Sequence, residues 1–403
     1  MYLQRLQLKQ FRNYADQGIE FHAPKTILVG DNAQGKSNVL EAIELLATLN
    51  SHRTHRDREL VQWGQAIAYI QGTVSRESGP ADLGMTFRQK SRRTVAVNGQ
   101  SLRRQLDGLG ILNAVQFSSL DLDLVRGGPE RRRAWLDGLL VQLEPVYAHV
   151  LQQYNRVLKQ RNALLRSQAK RLRGEAVSAG GGPLLQGMTT ADAGNLALWD
   201  AQLAVAGARV IRRRSRALSL IAPHAQTWQR EMSSAQEVLR LTYQPNVPLT
   251  CDSSDASDPP GDIPDQETVQ GAFLDAIQQK STAEQYQGTS LVGPHRDDIL
   301  LDINGQPARQ FGSQGQQRTV VLALKLAELM TVESVIGEPP LLLLDDVLAE
   351  LDLTRQDRLL STIQDRFQTV ITTTHLEAFD AGWRAGSQVL EVQAGALRSP
   401  DSA

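Results

Sequence analysis

The chain has 403 residues, 43 Lys and Arg against 44 Asp and Glu, and one cysteine. That length suggests two or three domains, and a net charge near zero excludes a globally basic protein, so any nucleic-acid surface must be local. The lone Cys251 rules out an intrachain disulfide framework, and no run of 18 or more apolar residues offers a membrane span, so composition points to a soluble, cytoplasmic chain with no membrane contact.

Tyr2, Leu3, Leu6 and Leu8 open a strand pattern that Ile19, Phe21 and Ile27–Val29 continue. Between them, Phe11-Arg12-Asn13-Tyr14 reads as a turn carrying an arginine. Gly30 to Ser37, GDNAQGKS, then has the P-loop spacing at the end of an apolar strand and the start of a helical pattern. Gly30 and Gly35 let successive N–H groups of Asp31, Asn32, Ala33 and Gln34 face one concavity, and the helix N-terminus beyond favours an anion. Lys36 supplies a point charge to outer phosphates, and the Ser37 hydroxyl is suited to Mg2+. These residues predict nucleotide binding. His52 and His55 flank an Arg-Thr pair, a poor metal site by itself. Residues 66–103 read as short strands closing on the hairpin pair Asn98-Gly99, an antiparallel meander that suits the head of an ABC-type ATPase. Gln116, inside the apolar strand end 114–123, is either an ordinary edge-strand residue or a contact to the γ-phosphate and its attacking water.

From Arg126 the character changes. Tyr147, Val150, Leu151, Tyr154, Val157, Leu158, Leu165 and Leu172 hold a narrow stripe at helical spacing. A Gly-rich turn at 180–183 separates it from a second stripe through Leu196, Trp199, Leu203, Val210, Ala217 and Ile221, which implies an antiparallel helical arm. Residues 126–216 carry 16 Lys and Arg, 14 of them Arg, against six acidic residues. Arginine forks match phosphate oxygens, so backbone contact with double-stranded DNA is expected here, with Arg131, Arg132, Arg133, Arg212, Arg213 and Arg214 as candidates. Residues 246–267 are rich in Pro, Ser and Asp and read as a flexible surface loop.

Order returns at 293–298, GPHRDD. Ser313, Gln314, Gly315 and Gln316 then open a helix, with Ser313 a good N-cap and Gly315 permitting close backbone approach, a second candidate phosphate-binding terminus. Leu341–Leu344 run into Asp345 and Asp346, the pattern of a buried parallel strand with chemistry at its carboxyl end. Asp345 is placed to share Mg2+ with Ser37, and Asp346 to orient or deprotonate a water. His375 ends another β-branched strand.

The strings FRNY at 11–14, GDNAQGKSNVLEAIELL at 30–46, GGPERRRAWLD at 127–137, LVGPHRDD at 291–298, FGSQGQQRTVVLALKLAE at 311–328 and LLLLDDVLAELD at 341–352 closely resemble the RecF family of recombination mediators, SMC-like members of the ABC superfamily. The resemblance implies an α/β fold: an ABC-type P-loop ATPase head of mixed sheet with an antiparallel meander, built from residues 1–125 and 288–403, with a helical arm domain, 126–287, inserted. It implies an ATP-dependent homodimer in which the P-loop of one subunit faces Ser313–Gln316 of the other. It also implies binding to duplex DNA near single-strand/double-strand junctions, and cooperation with RecO and RecR in loading RecA. It casts Gly30–Ser37 as nucleotide-binding, Asp346, Gln116 and His375 as γ-phosphate and water contacts, and Arg12 as a residue near the nucleotide.

Ser119 and Leu120 depart from the family's usual Pro and acidic residue, and Asp346 stands where general ABC ATPases carry glutamate. The shorter arm predicts slow turnover, a timer rather than a motor. A transporter subunit is disfavoured by the arginine-rich insertion and by SQGQQR in place of LSGGQ. An SMC clamp would need a far longer insertion, and an ABC-headed nuclease would need a further metal-carboxylate domain.

Overall fold

The computed structural model describes residues 1–173, 190–249, 264–364, 366–379 and 381–399. The Gly-rich turn at 180–183 and most of the acidic loop lie outside them. Along the chain, β1 (Tyr2–Phe11), β2 (Tyr14–Glu20) and β3 (Lys25–Val29) lead into α1 (Lys36–Thr48). Then come β4 (Ile67–Ser75), β5 (Ala81–Arg88), β6 (Thr94–Val97), β7 (Gln100–Ser101) and β8 (Ala114–Ser118). A helical stretch follows, α2 (Asp123–Arg126), α3 (Pro129–Leu143), α4 (Val146–Leu172) and α5 (Thr190–Met232), then β9 (Leu239–Gln244) and α6 (Gln266–Gln287). The C-terminal part runs β10 (Asp298–Ile303), β11 (Gln306–Pro307), α7 (Ala308–Phe311), α8 (Gln314–Ile336), β12 (Leu341–Asp345), α9 (Leu353–Ile363), β13 (Thr369–Thr373), α10 (Ala381–Ala385), β14 (Ser387–Gln393) and β15 (Ala396–Arg398).

Both ends of the chain build one sheet, in the order β15-β14-β3-β13-β12-β8, parallel except for β15. β12 lies between β13 and the edge strand β8 and is buried on both faces. Leu341 and Leu343 enter the core shared with α1 and the antiparallel sheet, while Leu342 and Leu344 enter the core that holds α8 and α5. Each fully buried leucine contributes about 2–3 kcal/mol of transfer free energy, which explains a strand of four consecutive leucines. The meander expected at 66–103 is present as part of an antiparallel sheet ordered β2-β1-β4-β5-β6-β7.

The helical insertion is more firmly joined to the head than two narrow-striped helices would suggest. α5 packs on α4, α6 and the head helix α8, and one continuous core runs through all of them. Gly207 is needed for that closeness, because a Cβ there would lie 2.2 Å from the Phe273 ring of α6. A strand not foreseen in the insertion, β9, pairs antiparallel with β10, so the boundary drawn at 287/288 falls between two strands of one sheet.

Buried arginines fasten this joint. Arg161 of α4, 1% exposed, donates to Asp200 of α5, to Glu284 of α6 and to the Ser290 hydroxyl. Arg214 of α5 forks onto Asp137 of α3 and reaches the Pro294 carbonyl and Asp297. Arg132 of α3 forks onto Asp298. Removing one member of such a buried pair costs about 3–5 kcal/mol, since the partner charge is stranded. The string GPHRDD is therefore a clasp: Asp297 and Asp298 take the arginines, Arg296 donates to the Ser290 carbonyl, and His295 closes the gap between them.

Two hydrogen bonds suit a neutral His295 ring. Nδ1 accepts from Tyr154 Oη at 2.6 Å and Nε2 donates to the Ser290 carbonyl at 3.2 Å. Burial, reinforced by Arg296, Arg133 and Arg161, pushes its pKa down to about 4. A depressed histidine contributes stability that is whole above its unfolded pKa of about 6.5 and drains away as pH falls toward the folded value, here about 3 kcal/mol in total. We expect the thermal midpoint of wild type to fall more steeply between pH 7 and pH 4.5 than that of His295→Gln. Parallel slopes would contradict the assignment.

Candidate nucleotide-binding and hydrolysis site

Four strand ends meet at the carboxyl edge of the parallel sheet: β3 delivers Gly30, β12 Asp345, β13 Thr373 and His375, and β8 Ser118. Ligands of open α/β sheets bind at such edges. The P-loop lies where the sequence puts it, and its shape is enforced by neighbours. A Cβ at Gly30 would come 2.4 Å from the Val392 carbonyl, and one at Gly35, whose φ is +117°, 2.5 Å from the Asn13 amide. Asn13 Nδ2 donates to the Gln34 carbonyl at 2.7 Å and Tyr14 Oη to the Gly35 carbonyl at 3.0 Å. Asn38 Nδ2 donates to Asn13 Oδ1 at 2.8 Å. These braces from the β1–β2 turn were not singled out from sequence; the string FRNY was the signal that could have found them.

Within the loop, Lys36 Nζ donates to the carbonyls of Gly30 and Asp31. Ser37 Oγ donates to Asp345 Oδ1 at 2.7 Å, joining residues 308 positions apart. Thr372 Oγ1 donates to the same carboxylate oxygen at 2.8 Å and accepts from the Asp346 N–H at 2.9 Å. One threonine thus orients both aspartates. Neighbouring ligands of an octahedral Mg2+ at ~2.0–2.1 Å stand ~2.9 Å apart, so Ser37 Oγ and Asp345 Oδ1 are two hard oxygen donors that fit that ion. Asp346 adopts a φ of +54°, in the left-handed region that aspartate tolerates at a cost. Burial, with the Asp345 charge adding to it and Lys36 opposing, raises its pKa above the ordinary carboxylate value. A carboxylate tuned upward is a better proton acceptor near neutrality.

The other candidates divide. His375 is exposed and begins the loop after β13, its N–H held by Thr373 Oγ1. Gln116 pairs with Leu343 in register, two residues below the level of Asp345, and its Nε2 lies 3.4 Å from His52 Nε2. Its Oε1 is buried with no hydrogen-bond partner among the described residues. His52 Nδ1 in turn donates to Glu44 Oε2 at 2.6 Å, an arrangement the sequence did not reveal because α1 and the following loop supply the two partners. Arg12 has its guanidinium forked onto buried Glu41 at 2.6 and 2.8 Å and bonded to the Glu59 carbonyl, so its described partners belong to the head itself. Ser313 caps α8 in a reciprocal capping box with Gln316, worth about 1 kcal/mol, and Ser313 and Gln314 face solvent.

The arginine candidates need correction. Arg132 and Arg214 are buried in the clasp, and half-buried Arg133 donates to the Asp297 carbonyl. Neither Arg132 nor Arg214 presents its guanidinium to a DNA backbone, because charge counting along a sequence does not register burial. Arg131 and Arg212 are exposed, with Arg131 3.7 Å from Asp123, and half-buried Arg213 pairs with Glu144.

Sheet order, P-loop and paired aspartates together define a P-loop ATPase head of the ABC class, SMC-like in build. Residues 2–396 match the family described as RecF/RecN/SMC N terminal domain. Proteins named DNA replication and repair protein RecF are 60% identical over 401 residues in Nostoc punctiforme, spanning 98% of this chain and 99% of that one, and 59% identical over 397 residues in Cyanothece sp., spanning 98% of each. A solved structure described as the recombination mediator protein RecF-ATP in the RecFOR pathway superposes with a TM-score of 0.83 at 30% identity, covering 99% of this chain and 97% of that one. An Smc head domain from Pyrococcus furiosus, 14% identical with a TM-score of 0.52 over 98% of this chain and 95% of that chain, shares the fold. The chain belongs to the RecF family.

In the Glu44–His52 pair, burial pulls the imidazole pKa down but Glu44, with Glu41 and Asp345 behind it, outweighs burial and leaves it raised. A raised histidine contributes stability that is whole below its unfolded pKa and is lost as pH rises through the folded one. His52 should therefore titrate above ~6.5 by NMR in wild type and below it in Glu44→Gln. An unchanged titration would show that Glu44 does not hold the charge.

Proposed function

We propose that this protein is an ATP-driven DNA-binding switch of recombinational repair and replication. ATP and Mg2+ occupy the Gly30–Ser37 loop, two copies close around the nucleotide, and the dimer holds duplex DNA at gaps and junctions, acting with RecO and RecR to load RecA. The observation that carries the reading is the convergence of Ser37, Asp345, Thr372 and Asp346 at one sheet edge, while Ser313 and Gln314, which would meet a second copy's nucleotide, point to solvent. The likeness to the solved structure described as RecF-ATP in the RecFOR pathway supports it.

The chemistry follows from the residues. P-loop N–H groups and Lys36 receive the phosphates. The magnesium ion, held by Ser37 and Asp345, would neutralise charge on the outer phosphates. Asp346 takes a proton from the attacking water, with His375 and Gln116 as further contacts around it, and its short side chain makes this step slow. The N-terminus of the partner's α8 supplies N–H groups to the γ-phosphate and completes the site. Hydrolysis removes that contact and releases the dimer.

Ser313→Arg tests the sandwich. The variant should bind a fluorescent ATP analogue as wild type does, yet remain monomeric with ATP in light scattering, because the added side chain occupies the partner's γ-phosphate position. A variant that dimerises normally with ATP would refute the arrangement.

A further inference from the structure

The head also carries a basic surface beside the nucleotide site. Three segments gather at one end of the antiparallel sheet: 51–66 between α1 and β4, the β5–β6 hairpin tip 89–93, and 102–105 beyond β7. They are tied to one another and to the sheet. Gln62 N donates to the Gln10 carbonyl at 2.8 Å, Gln89 Nε2 to the Gln65 carbonyl at 2.7 Å, and Gln105 Nε2 to the Arg93 carbonyl at 2.5 Å. Arg93 pairs with Asp57 across the first two segments at 3.6 Å. Together the segments hold eight Lys and Arg and two carboxylates. Both carboxylates are engaged, Asp57 by Arg93 and Glu59 by Arg56. Exposed Lys90, Arg92, Arg103 and Arg104 form no ion pair among the described residues.

At the tip of the first segment stands Trp63, 99% exposed, in a turn closed by Gln65 N donating to the Gln62 carbonyl at 3.0 Å. The other four tryptophans, Trp135, Trp199, Trp228 and Trp383, are buried or half-buried. Leaving an indole in water forgoes about 2–3 kcal/mol of burial, so its position has to be explained by what it meets. An aromatic that anchors a protein partner sits in an apolar patch. The sequence neighbours of Trp63 are instead Gln62, Gly64 and Gln65, and both faces of its ring are open.

We infer that this end of the antiparallel sheet is a nucleic-acid surface separate from the arginine-rich helices, in which the cations take backbone phosphates and Trp63 stacks on an unpaired base beside a duplex end. Seven of the eight cations are arginine, whose planar fork suits phosphate. An indole free on both faces suits base stacking, which is indifferent to sequence. The assignment rests on the DNA-binding reading above and gives it a basis for preferring junctions over continuous duplex.

The test measures fluorescence anisotropy of the full chain with ATP on two labelled DNAs, a blunt duplex and the same duplex with a single-stranded overhang. Trp63→Ala should weaken overhang binding about tenfold, the worth of one stacked base, and leave blunt-duplex binding unchanged. Lys90→Ala with Arg92→Ala should weaken both DNAs and make the log-log salt dependence shallower by about 2, nearly one per lost phosphate contact. Wild-type affinities for both DNAs in both variants would overturn the inference and leave DNA binding to the helical region, an acidic protein partner included as the alternative occupant. Loss of ATP-analogue binding in Trp63→Ala, with DNA binding intact, would overturn it by placing the indole at the nucleotide. If wild type binds neither DNA, the DNA-binding reading fails and the inference with it.

Discussion

The hydrogen bond from Ser37 to Asp345 depends on a constraint that the whole molecule obeys: the two ends of the chain must enter one parallel sheet before the site exists. β3 from the N-terminal part lies between β13 and β14 from the C-terminal part, and β8 borders β12. Neither part alone contains both the loop and the carboxylates. Long-range parallel pairing carries a loop-closure cost that only the buried faces of the sheet repay, and the leucines of β12, entering two cores at once, are where that repayment concentrates.

The same economy explains the arginines. A helical insertion returning to the head between residues 126 and 287 has to be fixed in orientation, and apolar packing is poor at fixing one orientation among several. The forks of Arg161, Arg214 and Arg132 onto carboxylates from different elements are directional, and each would strand a buried charge if the helices shifted. The helix that begins at Ser313 packs directly on α5, so the proposed dimer contact and the helical region share one rigid core. A nucleotide-driven dimer would therefore set the relative placement of the two helical regions as well as of the two heads.

Much of this was legible in the sequence because its signals were local. The P-loop spacing, the leucine run ending in Asp345-Asp346, the meander closing on Asn98-Gly99 and the Ser313 cap each sit within a dozen residues, where periodicity and cap chemistry speak. What was missed depends on contacts between distant segments. The bracing of Gly35 by Asn13 and Tyr14, the sharing of Thr372 by two aspartates, and the Glu44–His52 pair beside Gln116 all join separate elements. The arginine-rich stretch misled for a related reason: one count of positive charge combined exposed Arg131 and Arg212 with Arg132 and Arg214, which are interior bolts. The strand β9 was hidden because its partner lies more than fifty residues away, across the acidic loop.

The central claim, that nucleotide joins two copies into the form that holds DNA, is tested most directly by sedimentation velocity of Asp346→Asn with ATP and magnesium, alone and with a short gapped duplex. The variant keeps the loop, the Ser37–Asp345 pair and the α8 cap while losing the proton acceptor. The account predicts a dimer that requires ATP, persists without turnover and co-sediments with the DNA. A monomer that binds the gapped duplex equally with and without ATP would contradict it.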